Sequence, residues 1–461
     1  MLCKSPEIGM KPLTMRRIDL GKPGGKDDLR FMMQALGNQG NVVSARGREL
    51  TRKVFGEDLT PIQVVEKVCA DVASNGIQAA LHYTKQFDQA EITPASLRVS
   101  EPELQSAHRN AKPALLEAVR RIRQNVLAFQ SQLLQKDSVL SLADKGELRL
   151  RLRPIRRVGI HIPGGAAAYP STLLMTVVPA QAAGVAELAV IMPPTANGAN
   201  SPDMLAVCHE LGVKEVYRIG GAQGIAALAY GMEGLPRVDM IVGPGNMFVA
   251  LAKKTVYGQV SIDCIAGPSE VVVLADENAD PVHLAAELIS QAEHSPGSSL
   301  LVTWNPNILE AVQNALRESL AKLERGDLAQ DCLERFGAFV VAPSEQEAIA
   351  TVNQLAPEHL HIDTASPKKH ADLIDNAGAI FVGPYSPVAA GDYAAGPSHV
   401  LPTGGTARFA SGLCANDFLR RSSVIHLTEK GLSAIAPDIC TLADLEGLTG
   451  HKASVTVRLK K

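Results

Sequence analysis

Ala356-Pro-Glu-His-Leu-His-Ile362 sets Glu358 beside His359 at the start of a predicted strand. An imidazole titrates near neutral pH and a carboxylate can activate water, so this pair could serve two different proton transfers. Strand alternation offers a plainer alternative: one residue exposed, the other half buried, and His361 on the same side as His359 as ordinary structural histidines. Ser290-Gln-Ala-Glu-His294 closes a predicted helix. Gln291 and His294 stand three apart and share a face, whereas Glu293 points elsewhere. A helix C-terminus also favours a histidine through its dipole, so His294 alone specifies no metal. Gly391-Asp-Tyr-Ala-Ala-Gly-Pro-Ser-His399 displays Asp392 and His399 on a small polar loop, and His451 lies in Thr-Gly-His-Lys. Such a loop is a good place for ligands; it could equally be a turn held by Asp392. No close-spaced metal signature is present. Two histidines, an aspartate and an amide oxygen gathered from distant segments would suit Zn²⁺ with positions left open for a substrate.

Gly220-Gly-Ala-Gln-Gly and Gly243-Pro-Gly-Asn follow predicted strands. Such loops bring backbone N–H groups and a helix N-terminus close to a ligand, though neither is the dinucleotide fingerprint, and tight βα turns explain each singly. Gln223 and Asn246 stand at their tips. Ile265-Ala-Gly-Pro-Ser-Glu270 adds Ser269 but lacks the frame of a nucleophile elbow.

The elements that must carry these residues are read from periodicity. Residues 1–60 are polar and glycine-rich and read as an arm, with a helix around Asp27–Leu36. Thr60 and Pro61 open a helix with apolar residues at Val64, Val65, Val68 and Val72, and a second long helix runs over about Glu101–Leu134. From Arg157 the texture becomes strand, glycine loop, helix: Val158–Ile162, Leu188–Met192, Val216–Ile219 and Met240–Val242. The rhythm, every ~25–30 residues, is that of βαβ units. It repeats at Glu270–Leu274, Ser299–Thr303, Ala338–Val341 and Ala379–Val382. The expected fold is α/β: two Rossmann-like doubly wound modules, an N-terminal helical arm and a small C-terminal domain. The expected boundaries are 1–60 for the arm, 61–156 plus 268–403 for a discontinuous first module, 157–267 for the second, and 404–461 for the C-terminal domain. Ala453–Leu459 alternates like a strand.

Composition limits the function classes. Lys plus Arg number 45 and Asp plus Glu 48, a net charge of −3, so no nucleic-acid partner is expected. No uninterrupted apolar stretch reaches ~18 residues, so no membrane partner is expected either. Met1–Leu20 has no apolar run of the kind a secretory signal carries. Seven scattered cysteines without a CxxC pair fit reduced thiols and a cytoplasmic protein.

Together the motifs resemble the histidinol dehydrogenase family. They are Ile162-Pro-Gly-Gly, Gly220-Gly-Ala-Gln, Gly243-Pro-Gly-Asn, Ala266-Gly-Pro-Ser-Glu, Ser290-Gln-Ala-Glu-His, Pro357-Glu-His-Leu, Ala390-Gly-Asp-Tyr, Ser398-His-Val-Leu-Pro-Thr and Leu448-Thr-Gly-His-Lys, in order from about Thr60 to Leu459. The resemblance implies oxidation of L-histidinol to L-histidine through L-histidinaldehyde with two NAD⁺, the last step of histidine biosynthesis, and one Zn²⁺ per subunit. It implies Gln291, His294, Asp392 and His451 as zinc ligands, residues that also meet the substrate, and Glu358 and His359 as the acid–base pair, His359 also touching substrate. Ser269, His399 and Glu446 match further substrate contacts, and Gln223 and Asn246 match NAD contacts. His161 takes the place where the family usually has a tyrosine against NAD, so weaker cofactor binding or a slightly altered pocket is expected. The family works as an intertwined homodimer, which would put Glu446 and His451 in the partner's site. Two rivals remain: a same-fold zinc and NAD dehydrogenase of another polar alcohol such as a sulfonated diol, and a non-catalytic dimer that binds zinc and nucleotide.

Overall fold

The computed structural model describes residues 13–38, 45–165, 167–294 and 297–459. Two parallel sheets organise them. The six-stranded sheet runs Arg16–Asp19, Gly337–Val341, Gly297–Thr303, Ser269–Ala275, His359–Asp363, Ala379–Val382. The five-stranded sheet runs Glu215–Arg218, Glu187–Met192, Arg157–His161, Met240–Val242, Ser261–Ile262. Both are covered on two faces, which is why their strands read as near-continuous apolar runs. Along Ser269–Ala275, Val271 and Val273 enter one core cluster while Val272 and Leu274 enter another. The expected α/β class with two doubly wound modules is the observed one.

The grouping of helices differs from expectation. Helix Pro61–Asn75 packs Val64, Val65, Val68 and Val72 in one cluster with Ala189, Ile191 and Tyr217 of the five-stranded sheet. Leu104, Val119 and Val126 join Val158, Ile160 and Val190 on its other face. Residues 61–133 therefore pack chiefly with 157–262, and meet 268–403 only near its end, where Asn125 and Gln130 donate to the Ala394 and Gly396 carbonyls and Val400 joins the Val119 and Val126 cluster. Their valine stripe meets the small surface of Ala222, Ala226, Ala229 and Ala252, which permits close approach. Periodicity shows that a helix has an apolar face, not which sheet receives it.

Three other expectations change. The arm is in part a strand: Arg16–Asp19 pairs in parallel with Gly337–Val341 and forms the sheet's edge. Helix Gly25–Asn38 follows it as expected, and residues 1–12 and 39–44 lie outside the described residues. The long helix divides into Glu101–Asn110 and Pro113–Leu133, because proline disfavours a helical residue before it. Ala453–Leu459 is helical, within Thr449–Leu459. Val455 and Leu459 lie one helical turn apart, Val455 is buried, and packing on helix Glu429–Leu445 overrides the β-branched preference. A three-stranded antiparallel sheet, Leu419–Leu427 beside Gly146–Pro154 beside Ser138–Ser141, joins this C-terminal piece to the body. No helix among the described residues is long and apolar enough to cross a membrane.

Candidate active site

Strand Ser269–Ala275 and strand His359–Asp363 lie side by side, and their amino ends build the proton-transfer pair. The main chain of Glu270 holds both members. Its N–H donates to Glu358 Oε2 at 2.8 Å. Its C=O accepts from His359 Nδ1 at 3.1 Å, which assigns the proton to Nδ1 and leaves Nε2 as the reactive nitrogen. Glu358 and His359 are both buried, with His359 Nδ1 3.6 Å from Glu358 Oε2. Burial, opposed by His359 and the Glu270 N–H, raises the Glu358 carboxyl to about 7. Burial disfavours the His359 imidazolium, yet Glu358 and Asp392 outweigh it and hold His359 at about 9.

Asp392 Oδ1 lies 3.4 Å from His359 Nε2. It rides on helix Val388–Tyr393, which approaches the strands closely because Gly391 has no side chain: a Cβ there would lie 2.7 Å from the Phe381 ring. The helix start is pinned by Glu287, whose Oε2 accepts the Val388 N–H at 3.0 Å. Glu287 and Gln291 share one face of helix Pro281–Ala292. His399 donates from Nδ1 to the Asp392 C=O at 3.0 Å. Burial lowers both His294 and His399, which favours neutral imidazoles able to donate a lone pair. Against burial, His359, His399 and His294 together keep the Asp392 carboxyl below its usual range. Ser269 opens its strand, half-buried, next to Glu270.

Gln291 is 2% exposed and its Nε2 has no partner among the described atoms. Since amide oxygen and nitrogen are interchangeable by a flip, this buried amide end is free to ligate. Of the expected metal set, Gln291 and His294 lie at the end of one helix, and His294 and Asp392 are close enough to act on each other's charge. His451 and Glu446 do not join them: both are exposed on the C-terminal helix pair, which packs on itself and on the three-stranded sheet. Among the described residues no group of three or more His, Cys, Asp and Glu side chains could hold a metal ion. One chain supplies only His294 and Asp392 of that kind from the ligand set, plus an amide.

The glycine loops sit at the carboxyl ends of the five-stranded sheet. Both main-chain groups of Gly243 are fixed. Asp263 Oδ2 accepts its N–H at 2.7 Å and Lys253 Nζ donates to its C=O at 3.0 Å, and Lys253 and Asp263 are themselves a buried ion pair. Gly243 has φ 112°, with His161 main chain packed against it. Asn246 Oδ1 caps the next helix by accepting the Val249 N–H, leaving its amide nitrogen at an exposed tip. His161 donates from Nδ1 to the Pro244 C=O at 2.7 Å, and burial lowers it to about 4. At 3% exposure it braces this loop and presents little surface to a ligand. Gln223 Nε2 donates to Asp88 Oδ2 at 3.2 Å, while its buried Oε1 is unpartnered.

Sequence reasoning did not assign Glu270, Glu287 or Asp88. The spacing of Glu287 and Gln291, four apart on one helix, was the available signal for Glu287; nothing local marks Asp88 or the main chain of Glu270.

The sequence model of the family described as histidinol dehydrogenase matches residues 55–459. Similar proteins include the histidinol dehydrogenase of Rhodopirellula baltica, 53% identical over 98% of this chain and 98% of that one. The Geobacter sulfurreducens histidinol dehydrogenase is 44% identical over 91% of this chain and 96% of its own. Among solved structures, histidinol dehydrogenase from Elizabethkingia anophelis superposes with a TM-score of 0.85 at 34% identity, covering 96% of this chain and 98% of that one.

Proposed function

The chain belongs to the histidinol dehydrogenase family, and from that premise we propose that it oxidises L-histidinol to L-histidine through the aldehyde, passing two hydrides to NAD⁺. The observation that carries this reading is the buried Glu358–His359 pair held by the Glu270 main chain beside Asp392. His359, held at about 9, acts as a base in the fraction protonated on Nδ1 alone, a fraction that grows as pH rises toward 9, and there its Nε2 takes the hydroxyl proton as each hydride leaves. Glu358, a carboxyl whose protonation changes near neutral pH, activates the water that hydrates the aldehyde. The nearby thiol of Cys264 is pushed up to about 12, chiefly by burial, so it stays protonated and a thiolate route is disfavoured.

Gln291, His294 and Asp392 would hold a Zn²⁺, with His451 of the partner subunit as the fourth ligand. The ion would fix the substrate's orientation and polarise the reacting oxygen. Ser269, His399 and, from the partner, Glu446 would complete the substrate's surroundings. Gln223, Asn246 and His161 would bound the NAD site, with His161 acting chiefly through the Gly243–Asn246 loop. A homodimer is supported by what one chain leaves open: an apolar groove lined by Leu140, Leu148, Leu150, Val424 and Ile425, and the exposed Leu442, Leu445 and Val457. Free cysteines are in keeping with a cytoplasmic enzyme.

NADH formed per histidinol consumed, by purified protein with zinc, tests the reading. Two NADH, abolished by a chelator, is the expected result. No NADH rejects histidinol as substrate and turns attention to sulfonated and other amino alcohols.

A further inference from the structure

On strand His359–Asp363 the residues at 360 and 362 are ordinary core: Leu360 and Ile362 are fully buried in the cluster under that face. The other face is anomalous. His359, His361 and Asp363 point into the layer where neighbouring strands place Val271, Val273, Ala275 and Phe381. Two of the three bury a polar atom without a protein hydrogen-bond partner, His361 Nδ1 and Asp363 Oδ2, while His359 Nε2 has only Asp392 Oδ1 beside it at 3.4 Å. The second nitrogen of His361 is fixed, because Nε2–H donates to the Gly383 C=O at 3.1 Å. His361 Nδ1 is therefore a bare lone pair, 1% exposed as a residue. An orphaned buried polar atom is costly, and an apolar side chain would pack here without that cost. Two such atoms in succession on one face, running on from His359, are sites that a bridging water would satisfy.

On the same face of the sheet, helix Pro281–Ala292 packs over the neighbouring strand Ser269–Ala275 and carries its own polar row. His283, Glu287 and Gln291 recur every four residues along Pro281–Ala292. The charges match in order: Asp363 interacts with His361 and His283, and Glu287 with His361 and, nearer the site, Asp392 and His359. Asp276 and Asp280 also face Asp363. His283 is exposed, so the seam starts at the buried base and ends at solvent. Successive residues on one strand face are about 6.6 Å apart, a gap that one or two waters bridge.

We propose that His361 and Asp363, with waters between strand and helix, form a proton exit from His359 to the surface at His283. This rests on the functional reading above and deepens it. Oxidising RCH₂OH with two NAD⁺ and one water gives RCOO⁻, two NADH and three protons. The hydrides leave on the cofactor, and the protons must leave a closed site before His359 can act again. Each proton passes from Nε2 of His359 to water and on to the Nδ1 lone pair of His361. Reorientation of the water chain returns His361 to its starting form as the proton moves to the Asp363 carboxylate and then to bulk. No oxidant or co-reactant beyond those of the main reaction is needed.

His361→Gln keeps a donor for Gly383 but cannot pass a proton, and Asp363→Asn blocks the far end. In the zinc-loaded full-length protein, His361→Gln should lower kcat roughly tenfold with KM for histidinol within about twofold of wild type. The solvent deuterium isotope effect on kcat should rise, and added imidazole should restore several-fold of the lost rate. Asp363→Asn should show the same pattern more weakly. If the wild type turns over while both variants match it in kcat and isotope effect, the relay is wrong and the enzyme assignment stands. A loss that buffer does not restore, accompanied by a changed KM, assigns these residues a structural role and overturns the relay. A wild type that forms no NADH from histidinol overturns the functional reading and the relay together.

Discussion

Glu358 and His359 differ in how they are held, and in the proposed reaction that difference would separate their tasks. His359 is tied by its Nδ1 to a main-chain carbonyl, so its Nε2 direction is set. Glu358 accepts the Glu270 N–H at Oε2 alone, and in the proposed reaction its other oxygen would address water. Glu358→Gln should accordingly slow acid formation more than alcohol oxidation. Single-turnover NADH traces with histidinol and with histidinaldehyde check this, and equal slowing of both halves would refute it. The pair was legible in the sequence because glutamate and histidine are adjacent. Glu270 was not, because its contribution comes from main-chain atoms that carry no residue signature. Asp392 stood out as a residue of a small polar loop, but its 3.4 Å approach to His359 was not legible, since it joins segments far apart in the chain.

Two elements bring the ligand candidates together, and their closeness depends on one glycine. At Gly391 an added Cβ would meet the Phe381 ring at 2.7 Å. Gly391→Ala should therefore lift helix Val388–Tyr393 and cost about 1–3 kcal/mol of stability, along with weaker zinc binding. Phe381→Leu in the same chain should recover part of both, as read by thermal melting and competition with a chromogenic chelator. A second element-level prediction concerns acid. Glu210, at the end of helix Pro202–Glu210, is gripped by Arg120 at 2.8 Å and His108 at 2.7 Å, from two other helices. Hydrogen bonding by Arg120, against partial burial and with help from His108, depresses the carboxyl to about 2. A depressed folded-state value means stability fully present above the unfolded value near 4.5 and lost as pH falls toward 2. Urea titrations should lose roughly 1–2 kcal/mol across that window, and Arg120→Ala should lose clearly less. The sequence announced these helices and their apolar stripes. It could not announce that residues 61–133 would cover the five-stranded sheet, because that choice depends on the fit of valines against an alanine surface.

At the scale of the whole molecule, the placement of His451 and Glu446 is the decisive feature. Both stand exposed, away from Gln291, His294 and Asp392, on helices anchored by the three-stranded sheet. If the partner's copies complete the site, two inactive variants should complement each other. Coexpressed His451→Ala and Glu358→Gln chains form mixed dimers in which one site has intact Glu358 and the partner's intact His451, while the other has neither. Activity should return well above that of either variant alone. Its absence in verified mixed dimers would place both residues in the same chain's site. Ile425, 69% exposed in the apolar groove, gives the matching association test: Ile425→Asp should shift the protein toward monomer in sedimentation and remove activity. Composition and the strand–loop–helix rhythm read correctly as a globular α/β chain, but the groove itself was invisible in sequence, since strands Ser138–Ser141 and Leu419–Leu427 meet only through Gly146–Pro154.

The hold of the Glu270 main chain on both Glu358 and His359 has an evolutionary corollary. All twenty amino acids carry the main-chain carbonyl and nineteen carry the N–H, so only proline at this position would erase the donor. Drift at position 270 can change how the Pro402–Gly405 loop is tethered, through the bond from the Gly404 N–H to Glu270 Oε1, without misaligning the reactive nitrogen. Aim and tether can thus be tuned separately over a lineage's history. What descent must preserve for the aim is the pairing of two strands, a property of the fold that no single codon spells.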